Sequence, residues 1–192
     1  MKKVKSVTLI PARGGSKGIL RKNIVNMCGK PLLAYSIEAS IESQVSETWV
    51  STDDDEISDI ASDYGASVIR RPSNISKDNS TSEAALLHFA YERKFFDILV
   101  FLQATCPFVK FDDIDKALTL VEKFDSVISV SKFDQLLWCG SKAMYDIKNR
   151  QRRQSREQTF VETGSMFVTT KENLLHQGYV AEVEHLEKPI LK

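Results

Sequence analysis

Short apolar runs alternate with amphipathic stretches along the first two-thirds of the chain. The runs have the length and β-branched content of strands: "VTLI" at 7–10, "TWVS" at 48–51, "SVI" at 67–69, "DILVFLQ" at 97–103 and "SVISV" at 126–130. Apolar strands that are joined by helices are typical of a parallel sheet with helices on both faces. The pattern therefore predicts a doubly wound α/β domain.

Between these runs, apolar residues recur at helical spacing. In the first such stretch Leu33, Ile37 and Ile41 follow Pro31, a residue that suits a first helical turn. Three more stripes follow: Ile57, Ile60, Ala61 and Tyr64 before Gly65; Leu86, Phe89 and Ala90 after the capping-box pattern "STSE" at 80–83; and Ile114, Ala117, Leu118 and Val121. We expect a helix at each of the four.

The alternation stops after Val130. The segment that follows is neither cleanly helical nor strand-like, and it places Arg150, Arg152, Arg153 and Arg156 within seven residues. Beyond it come the strand-like "SMFVTT" at 165–170, the short helical "KENLL" at 171–175 and a candidate last strand, "YVAEVE" at 179–184.

Composition excludes several classes of protein. The 192 residues carry 26 basic and 26 acidic side chains, so no overall field draws the chain to nucleic acid or membrane. The three cysteines are far apart and form no CxxC pair, which argues against a disulfide framework or a zinc knuckle. The amino-terminal apolar run is too short for a signal peptide, and no run reaches membrane-spanning length. We therefore predict a cytoplasmic protein.

Positive charge is nevertheless concentrated in one loop, "IPARGGSKGILRKNI" at 10–24, and no acidic residue follows until Glu38. Glycines permit positive φ, so that successive N–H groups can turn inward and form an anion nest. The loop matches neither the P-loop nor the dinucleotide-binding glycine pattern. A solvated, flexible basic loop is the alternative, but binding of a triphosphate explains the cluster better.

With "GKPLLAYSIEAS" after it, this loop resembles the CMP-sialic acid synthetases (N-acylneuraminate cytidylyltransferases). The likeness continues through "VSTDDDEI", "RPSNIS.D.STSE" (in which D is Asp78), "FLQATCPF", "NRQRRQ" and "TGSMFVT", in order along nearly the whole chain. It implies a Rossmann-like nucleotidyltransferase fold in a single domain, 1–192, with a dimerisation excursion at about 133–160. It also implies a homodimer that uses Mg²⁺ to join CTP to a nonulosonic acid, a nine-carbon acidic sugar, with release of pyrophosphate.

The resemblance assigns the nucleotide site residue by residue. Arg13 and Lys22 would be the catalytic residues and would hold the phosphates. The other nucleotide-binding positions are Ala12, Gly14, Gly15, Lys17, Asn23, Arg71 and Ser82.

Three of these residues also have plain structural interpretations. Asn23 could close a turn, Arg71 could be a solvated strand end, and Ser82 could serve only the helix terminus.

For the acceptor sugar, the resemblance points to three residues. Gln103 would contact the sugar, Arg153 would meet its carboxylate in the partner's site, and Phe167 would form an apolar wall. Arg152 is the alternative to Arg153, plain surface or nucleic-acid binding is the alternative for the whole arginine cluster, and core packing is the alternative for Phe167. Cys106 is interpreted as a small buried thiol, since the sequence shows no basic partner that would make it a nucleophile.

The acidic clusters do not predict a metal site. The run 53–56 and the residues Asp112, Asp113 and Asp115 are placed to open helices, where carboxylates stabilise the positive end of the dipole. The three histidines are scattered. In relatives, the acidic pair that holds Mg²⁺ comes just after the position at which this sequence ends, which leaves two alternatives: a shortened chain or a homologue without the metal site.

Other departures from the family pattern bear on function. Leu20 stands where proline is common, and Val161 and Thr163 stand where an arginine and an asparagine often contact the sugar. One alternative function is therefore a catalytically impaired nucleotide- or sugar-binding homologue. Another is a 3-deoxy-octulosonate cytidylyltransferase, although those relatives usually have an acidic metal ligand where this chain has "LQATCP".

Overall fold

The computed structural model describes residues 4–16 and 18–177, so Lys17 and the candidate strand at 179–184 lie outside the described residues. The strands are β1 (Ser6–Pro11), β2 (Asn26–Met27), β3 (Lys30–Pro31), β4 (Glu47–Thr52), β5 (Ser67–Arg70), β6 (Ile98–Leu102), β7 (Ser126–Phe133), β8 (Trp138–Cys139), β9 (Lys142–Ala143) and β10 (Thr159–Thr170). The α-helices are α1 (Leu32–Glu42), α2 (Asp55–Asp63), α3 (Ser82–Glu92), α4 (Phe111–Val121) and α5 (Lys171–Gln177). Every strand and helix that the hydrophobic pattern predicts between residues 7 and 130 is present.

Six of the strands form the central sheet, in the order β5-β4-β1-β6-β10-β7. β5, β4, β1 and β6 are parallel neighbours, which confirms the mostly parallel sheet. β10 runs antiparallel to both β6 and β7 and separates them. The sequence pattern did not indicate this insertion. Local spacing identifies a strand, but the tertiary fold determines which earlier strands β10 pairs with after the excursion.

Helices cover both faces of the sheet, as predicted. Leu9 and Ile10, adjacent on β1, point to opposite faces, and both are fully buried. Ile10 belongs to an apolar cluster with residues of α1, α2 and α4, while Leu9 packs in a second cluster with residues of α3 and α5. A strand buried on both faces explains why β1 is an unbroken apolar run.

Two helix ends show how local sequence sets the boundaries. Gly65 follows α2 with φ of 86°, as expected for a residue that ends a helix in the left-handed conformation. The capping-box prediction at 80–83 was wrong in its register: Thr81 caps α3, and its Oγ1 accepts from the Ala84 N–H at 3.3 Å. The Ser80 hydroxyl instead accepts from the Lys77 N–H at 3.0 Å, so it serves the preceding turn.

The excursion, residues 133–160, has little regular structure. It contains the two-stranded β8-β9 hairpin and a 3₁₀ turn at Arg153–Ser155. Three large apolar side chains in it, Trp138, Met144 and Ile147, are more than half exposed. The dimerisation role of this excursion stays a prediction.

Within the described part of the chain, no helix has both the length and the apolar composition required to cross a bilayer.

Candidate functional site

A cavity of about 630 Å³ opens at the carboxyl ends of the parallel strands. Its lining comes from the loop after β1, the segment from Arg71 to the start of α3, and the end of β6 with the turn after it: Pro11, Arg13, Ser16, Gly18, Ile19, Lys22, Asn23, Arg71, Asp78, Ser80, Thr81, Ser82, Phe101, Gln103, Ala104 and Thr105. β1 and β6 lie side by side where the strand order reverses, which is where doubly wound sheets bind ligands.

This cavity brings together residues that are far apart in the sequence. Among the predicted site residues, Arg13, Lys22, Asn23, Arg71, Ser82 and Gln103 all line it. Ala12, Gly14 and Gly15 lie on the same loop after β1 but are outside the lining. The cavity is therefore rich in cations, and of the described residues in its lining only Asp78 is acidic.

Arg71 is the most unusual of these side chains because it is buried and two of its nitrogens lack a hydrogen-bond partner within the described part of the chain. Its residue surface is 8% exposed, and neither Nε nor Nη2 has a hydrogen-bond partner among the described residues. Burial lowers the pKa of its guanidinium, while the nearby Asp53 acts in the opposite direction and Arg13 adds repulsion. The interpretation of Arg71 as a solvated strand end is wrong. A buried arginine with free donors at a cavity is suited to bind an anion.

Arg13 and Lys22 present their charges differently. Arg13 Nη1 donates to Asp78 Oδ1 at 2.6 Å across the cavity. For the Lys22 ammonium, no ion pair is found within the described residues. Lys22 thus offers a full positive charge to a ligand, whereas Arg13 must exchange Asp78 for one.

The loop after β1 holds its shape differently from the predicted anion nest. Neither Gly14 nor Gly15 has positive φ. A Cβ on Gly14 would lie 2.9 Å from Cβ and Cγ of Asp54, so glycine is needed there for close approach. The Gly14 N–H donates to Asp53 Oδ1 at 3.2 Å, so that in this structure it is directed at a carboxylate of the protein.

Asn23 closes the loop from the other side. Its side chain is buried, and its Nδ2 donates to the Arg13 carbonyl oxygen at 3.0 Å. It lies in the 3₁₀ turn Lys22–Ile24, directly after Lys22. The turn-closing interpretation of Asn23 therefore describes what this side chain does in the structure.

Gln103 and Phe167 belong to neighbouring parts of the sheet: Gln103 directly follows β6, and Phe167 lies on β10. The Gln103 N–H donates to the Ser165 carbonyl oxygen on β10 at 3.1 Å, which holds Gln103 at the cavity. Phe167 stacks on Phe101, with ring centroids 5.6 Å apart, and is a partly buried residue packed against the second core cluster. Phe101 lines the cavity, whereas Phe167, its partner on β10, is outside the lining, which favours the core-packing interpretation of Phe167.

Arg153 lies in the excursion, outside the lining of the cavity. Its Nε donates to Asp134 Oδ2 at 3.0 Å, in a well-exposed ion pair, and this pair lowers the pKa of Asp134. Its neighbour Arg152, the alternative candidate, is exposed as well. Neither Arg153 nor Arg152 lines the cavity, and the partner-site role of Arg153 stays a prediction.

Several acidic residues lie at helix starts, as the sequence predicts, but Asp53 accepts from the Gly14 N–H and Asp115 accepts from the Gln44 N–H at 2.7 Å. Asp54 caps α2, and its Oδ1 accepts from the Ile57 N–H at 3.0 Å. Asp112 and Asp113 lie in the first turn of α4. Among the residues that the structure describes, no group of three or more histidine, cysteine, aspartate or glutamate side chains is arranged to hold a metal ion.

Cys106 is partly buried, and burial raises the pKa of its thiol above the usual value. This disfavours the thiolate and agrees with the interpretation of Cys106 as a packing residue.

Sequence reasoning missed Asp78 and Arg21. Asp78 was part of the family pattern, but only the fold brings it against Arg13. Arg21 looked like one more cation of the basic loop, yet it binds Asp54 and Glu56. No signal in the sequence distinguishes these ion pairs from solvated charges.

Comparison with known proteins agrees with this geometry. The family model described as cytidylyltransferase matches residues 7–174. The chain is a member of this family. Among curated cytidylyltransferases, N-acylneuraminate cytidylyltransferase B of Danio rerio is 37% identical over 174 residues, 85% of this chain and 41% of that protein. Pseudaminic acid cytidylyltransferase of Campylobacter jejuni is 39% identical over 136 residues, 68% of this chain and 56% of that protein.

The chain thus spans well under two-thirds of the length of these two cytidylyltransferases. Among solved structures, a CMP:2-keto-3-deoxy-manno-octonic acid synthetase complexed with CTP superposes with a TM-score of 0.72. The match covers 94% of this chain and 80% of that one at 19% identity. This likeness confirms the nucleotidyltransferase-like fold.

Proposed function

We propose that this chain is the nucleotide-transferring part of an enzyme that moves CMP from CTP to the anomeric hydroxyl of a sialic-acid-like nonulosonic acid. Family membership and the names of the curated relatives support the reaction class. The observation that carries the proposal is the buried Arg71 guanidinium, whose Nε and Nη2 have no hydrogen-bond partner among the described residues and which lines the same cavity as Arg13 and Lys22. Three cations around one cavity suit a triphosphate.

In this proposal the residues of the cavity bind and stabilise the negative charge of the substrates. Arg71 and Arg13 bind phosphate oxygens, and Asp78 releases Arg13 when the nucleotide enters. The sugar hydroxyl oxygen forms a bond to the α-phosphorus while its proton passes to water. The bond from that phosphorus to the oxygen that bridges the α- and β-phosphates breaks, and pyrophosphate leaves. Lys22 stabilises the charge that accumulates on the departing pyrophosphate, and Gln103 orients the acceptor.

The acceptor is expected to be a nonulosonic acid because relatives named for N-acylneuraminate and for pseudaminic acid both match the chain. Those names come from two different acids, and the matches cover 85% and 68% of this chain. We therefore propose the class of acceptor and not one sugar.

Magnesium is part of the proposal, but the described residues do not form a site for it. The only carboxylate that lines the cavity within 4–16 and 18–177 belongs to Asp78, which is paired with Arg13. We assign no step to the metal in this chain. Titration of activity with Mg²⁺ and EDTA tests the requirement.

The free cysteines support a cytoplasmic location in this proposal. Cys28, Cys106 and Cys139 are all unpaired, and two of them are exposed. Free exposed thiols persist in a reducing compartment.

The experiment that tests the proposal measures pyrophosphate release with CTP, Mg²⁺ and several nonulosonic acids, beside CTP binding by calorimetry. Release that depends on both substrates supports the transferase. CTP binding without release would favour the second candidate, a nucleotide-binding homologue, which is suggested by the lack of a carboxylate cluster in the described residues. The absence of both binding and release would contradict the proposal.

For the partner-site role of Arg153, we expect Arg153→Ala to raise KM for the sugar several-fold and to leave KM for CTP nearly unchanged. The reason is that a guanidinium binds a carboxylate through two parallel hydrogen bonds, and the CTP cavity in this chain does not include Arg153. Steady-state kinetics of Arg153→Ala and Arg152→Ala distinguish the two candidates. A rise confined to KM for CTP would refute the assignment.

Complementation tests whether the site is completed by a second copy. Mixing Arg153→Ala with Lys22→Ala chains should create sites with the wild-type KM for the sugar, about a quarter of all sites, because half of the dimers are mixed and each has one site with both Lys22 and Arg153. If all active sites kept the raised KM after mixing, Arg153 would not act across a homodimer.

A further inference from the structure

We propose that Arg21 is a positioning residue that anchors the phosphate-binding loop to the start of α2, and that it does not itself bind the ligand. This inference rests on the proposed function for its effect on CTP. The Arg21 anchor is defined here as Arg21 together with Asp54 and Glu56.

The contacts of Arg21 are all within the protein. Its Nη1 donates to Asp54 Oδ2 at 2.5 Å and its Nη2 to Asp54 Oδ1 at 2.9 Å, a two-pronged pair with one carboxylate. Nη2 also pairs with Glu56. Arg21 is absent from the cavity lining, although its neighbour Lys22 contributes to it. The guanidinium therefore uses its donors on α2, away from the ligand.

Asp54 is suited to serve as the fixed point of this anchor. Only 19% of its side chain is exposed, and its Oδ1 also accepts from the Ile57 N–H, as the cap of α2. The hydrogen bonds from Arg21 are the main cause that lowers the pKa of Asp54 below its usual value, so the carboxylate stays charged at neutral pH. An acceptor that is tied to a helix end and permanently ionised can hold a loop in one place.

The same acidic turn holds both limbs of the loop. On the first limb, Gly14 packs against Asp54 so closely that a Cβ would collide, and its N–H donates to Asp53. On the second limb, Arg21 pairs with Asp54. Asp54 therefore contacts the loop at two points, Gly14 next to Arg13 and Arg21 next to Lys22.

The backbone at Arg21 links this anchor to the catalytic lysine. Arg21 has φ of 54°, a left-handed conformation that an arginine seldom adopts without support. It immediately precedes the 3₁₀ turn Lys22–Ile24, in which the Ile24 N–H donates to the Arg21 carbonyl oxygen at 2.9 Å. When Arg21 is held in this conformation, the backbone positions of Lys22 and Asn23 are held as well.

Loss of the Arg21 anchor should therefore reduce the affinity for CTP more than it reduces the rate of turnover. Without it, the loop must become ordered when the nucleotide binds, so KM for CTP rises. Once CTP is bound, Lys22 still reaches it, and kcat changes little. Lys22→Ala should show the opposite pattern, because it removes the charge itself.

The test compares Arg21→Gly, Asp54→Asn and the double variant with the wild type. Glycine tolerates the positive φ, so Arg21→Gly removes the anchor without adding backbone strain. Asparagine still caps α2, so Asp54→Asn removes the charge and keeps the helix start. Lys30→Ala is the matched control, since it breaks a comparably exposed ion pair with Glu38, and Lys30 is not part of the cavity lining.

Two measurements are made on each protein: steady-state kinetics with CTP, and hydrogen exchange of the backbone amides at 18–25. We expect KM for CTP to rise about tenfold in Arg21→Gly and Asp54→Asn with kcat within about twofold, the effect of losing one well-formed ion pair. The double variant should be no worse than either single variant, because both remove the same interaction. Exchange should become faster in all three and stay unchanged in Lys30→Ala.

Wild-type KM together with wild-type exchange in Arg21→Gly would overturn the proposal, and so would a loss confined to kcat. If the wild type neither binds CTP nor releases pyrophosphate, the proposed function fails, and the exchange measurement decides on the anchor alone. Faster exchange then supports it, and equal exchange refutes it.

Discussion

Arg71→Met should remove CTP binding and at the same time raise the melting temperature of the nucleotide-free protein. Arg71 is buried, and its Nε and Nη2 have no hydrogen-bond partner among the described residues. A buried cation without a partner costs folding free energy, and burial lowers the pKa of its guanidinium accordingly. Methionine fills a similar volume without charge, so it removes that cost together with the binding group.

The two effects should be large and opposite in sign. Loss of two charge-assisted hydrogen bonds to phosphate, at about 1.5–3 kcal/mol each, weakens CTP binding by about 10²–10⁴-fold. Replacing a buried charge with an apolar side chain stabilises proteins by about 1–4 kcal/mol in favourable cases. For a chain of this size that corresponds to an increase in Tm of several degrees, since about 1 kcal/mol shifts Tm by about 2–4 °C.

Calorimetric titration with CTP and thermal melts with and without the nucleotide measure both effects. Arg71→Lys is the matched control because it keeps the charge but cannot form two parallel hydrogen bonds. CTP should raise Tm in the wild type, less in Arg71→Lys, and not at all in Arg71→Met. Wild-type affinity in Arg71→Met would contradict the assignment of Arg71 to the nucleotide, and a lower Tm without CTP would show that its buried charge is compensated in the free protein.

Lys22→Ala should abolish turnover and leave the fold intact. Lys22 lines the cavity beside Arg13, and within the described residues its ammonium is in no ion pair. Its charge is therefore available to the triphosphate, and its removal should lower kcat by about 10²–10³-fold, as for other single groups that stabilise developing charge. The fold should survive because the loop is held by Gly14, Arg21 and Asn23.

Pyrophosphate release and circular dichroism provide the two measurements for Lys22→Ala. Lys22→Arg should recover part of the activity, since it restores the charge with a different shape. Lys116→Ala removes an exposed lysine that pairs with Asp113 outside the cavity lining and should behave like the wild type. Unchanged kcat in Lys22→Ala, with a normal spectrum, would refute the catalytic role.

Arg13 differs from Lys22 because it has a counter-charge. Asp78 Oδ1 accepts from Arg13 Nη1 at 2.6 Å. In the proposed function, CTP would take the place of Asp78, and part of the binding free energy would be used for that exchange. The ion pair would thus orient the guanidinium for CTP at some expense in affinity.

The strands and helices were predictable because they depend on spacing along the chain. A period of two or of 3.6 between apolar residues identifies which side chains share a face, and the residues of β1 and α2 show this directly. The opening loop was also conspicuous, because glycines and cations seldom occur together without a ligand. Ser80 was mistaken for the cap of α3 because Thr81 can form the same kind of hydrogen bond, and only the backbone path distinguishes them.

The sequence by itself determined the alternation of strands and helices, the position of the basic loop and the family resemblance. All three depend only on the local order and composition of the residues. Only the tertiary structure decided that β10 enters between β6 and β7, that Arg71 is buried beside Arg13, and that Arg21 binds α2. The physical reason is that burial and ion pairing depend on which distant segments the fold brings into contact, and the charge of a side chain reveals nothing about its partner.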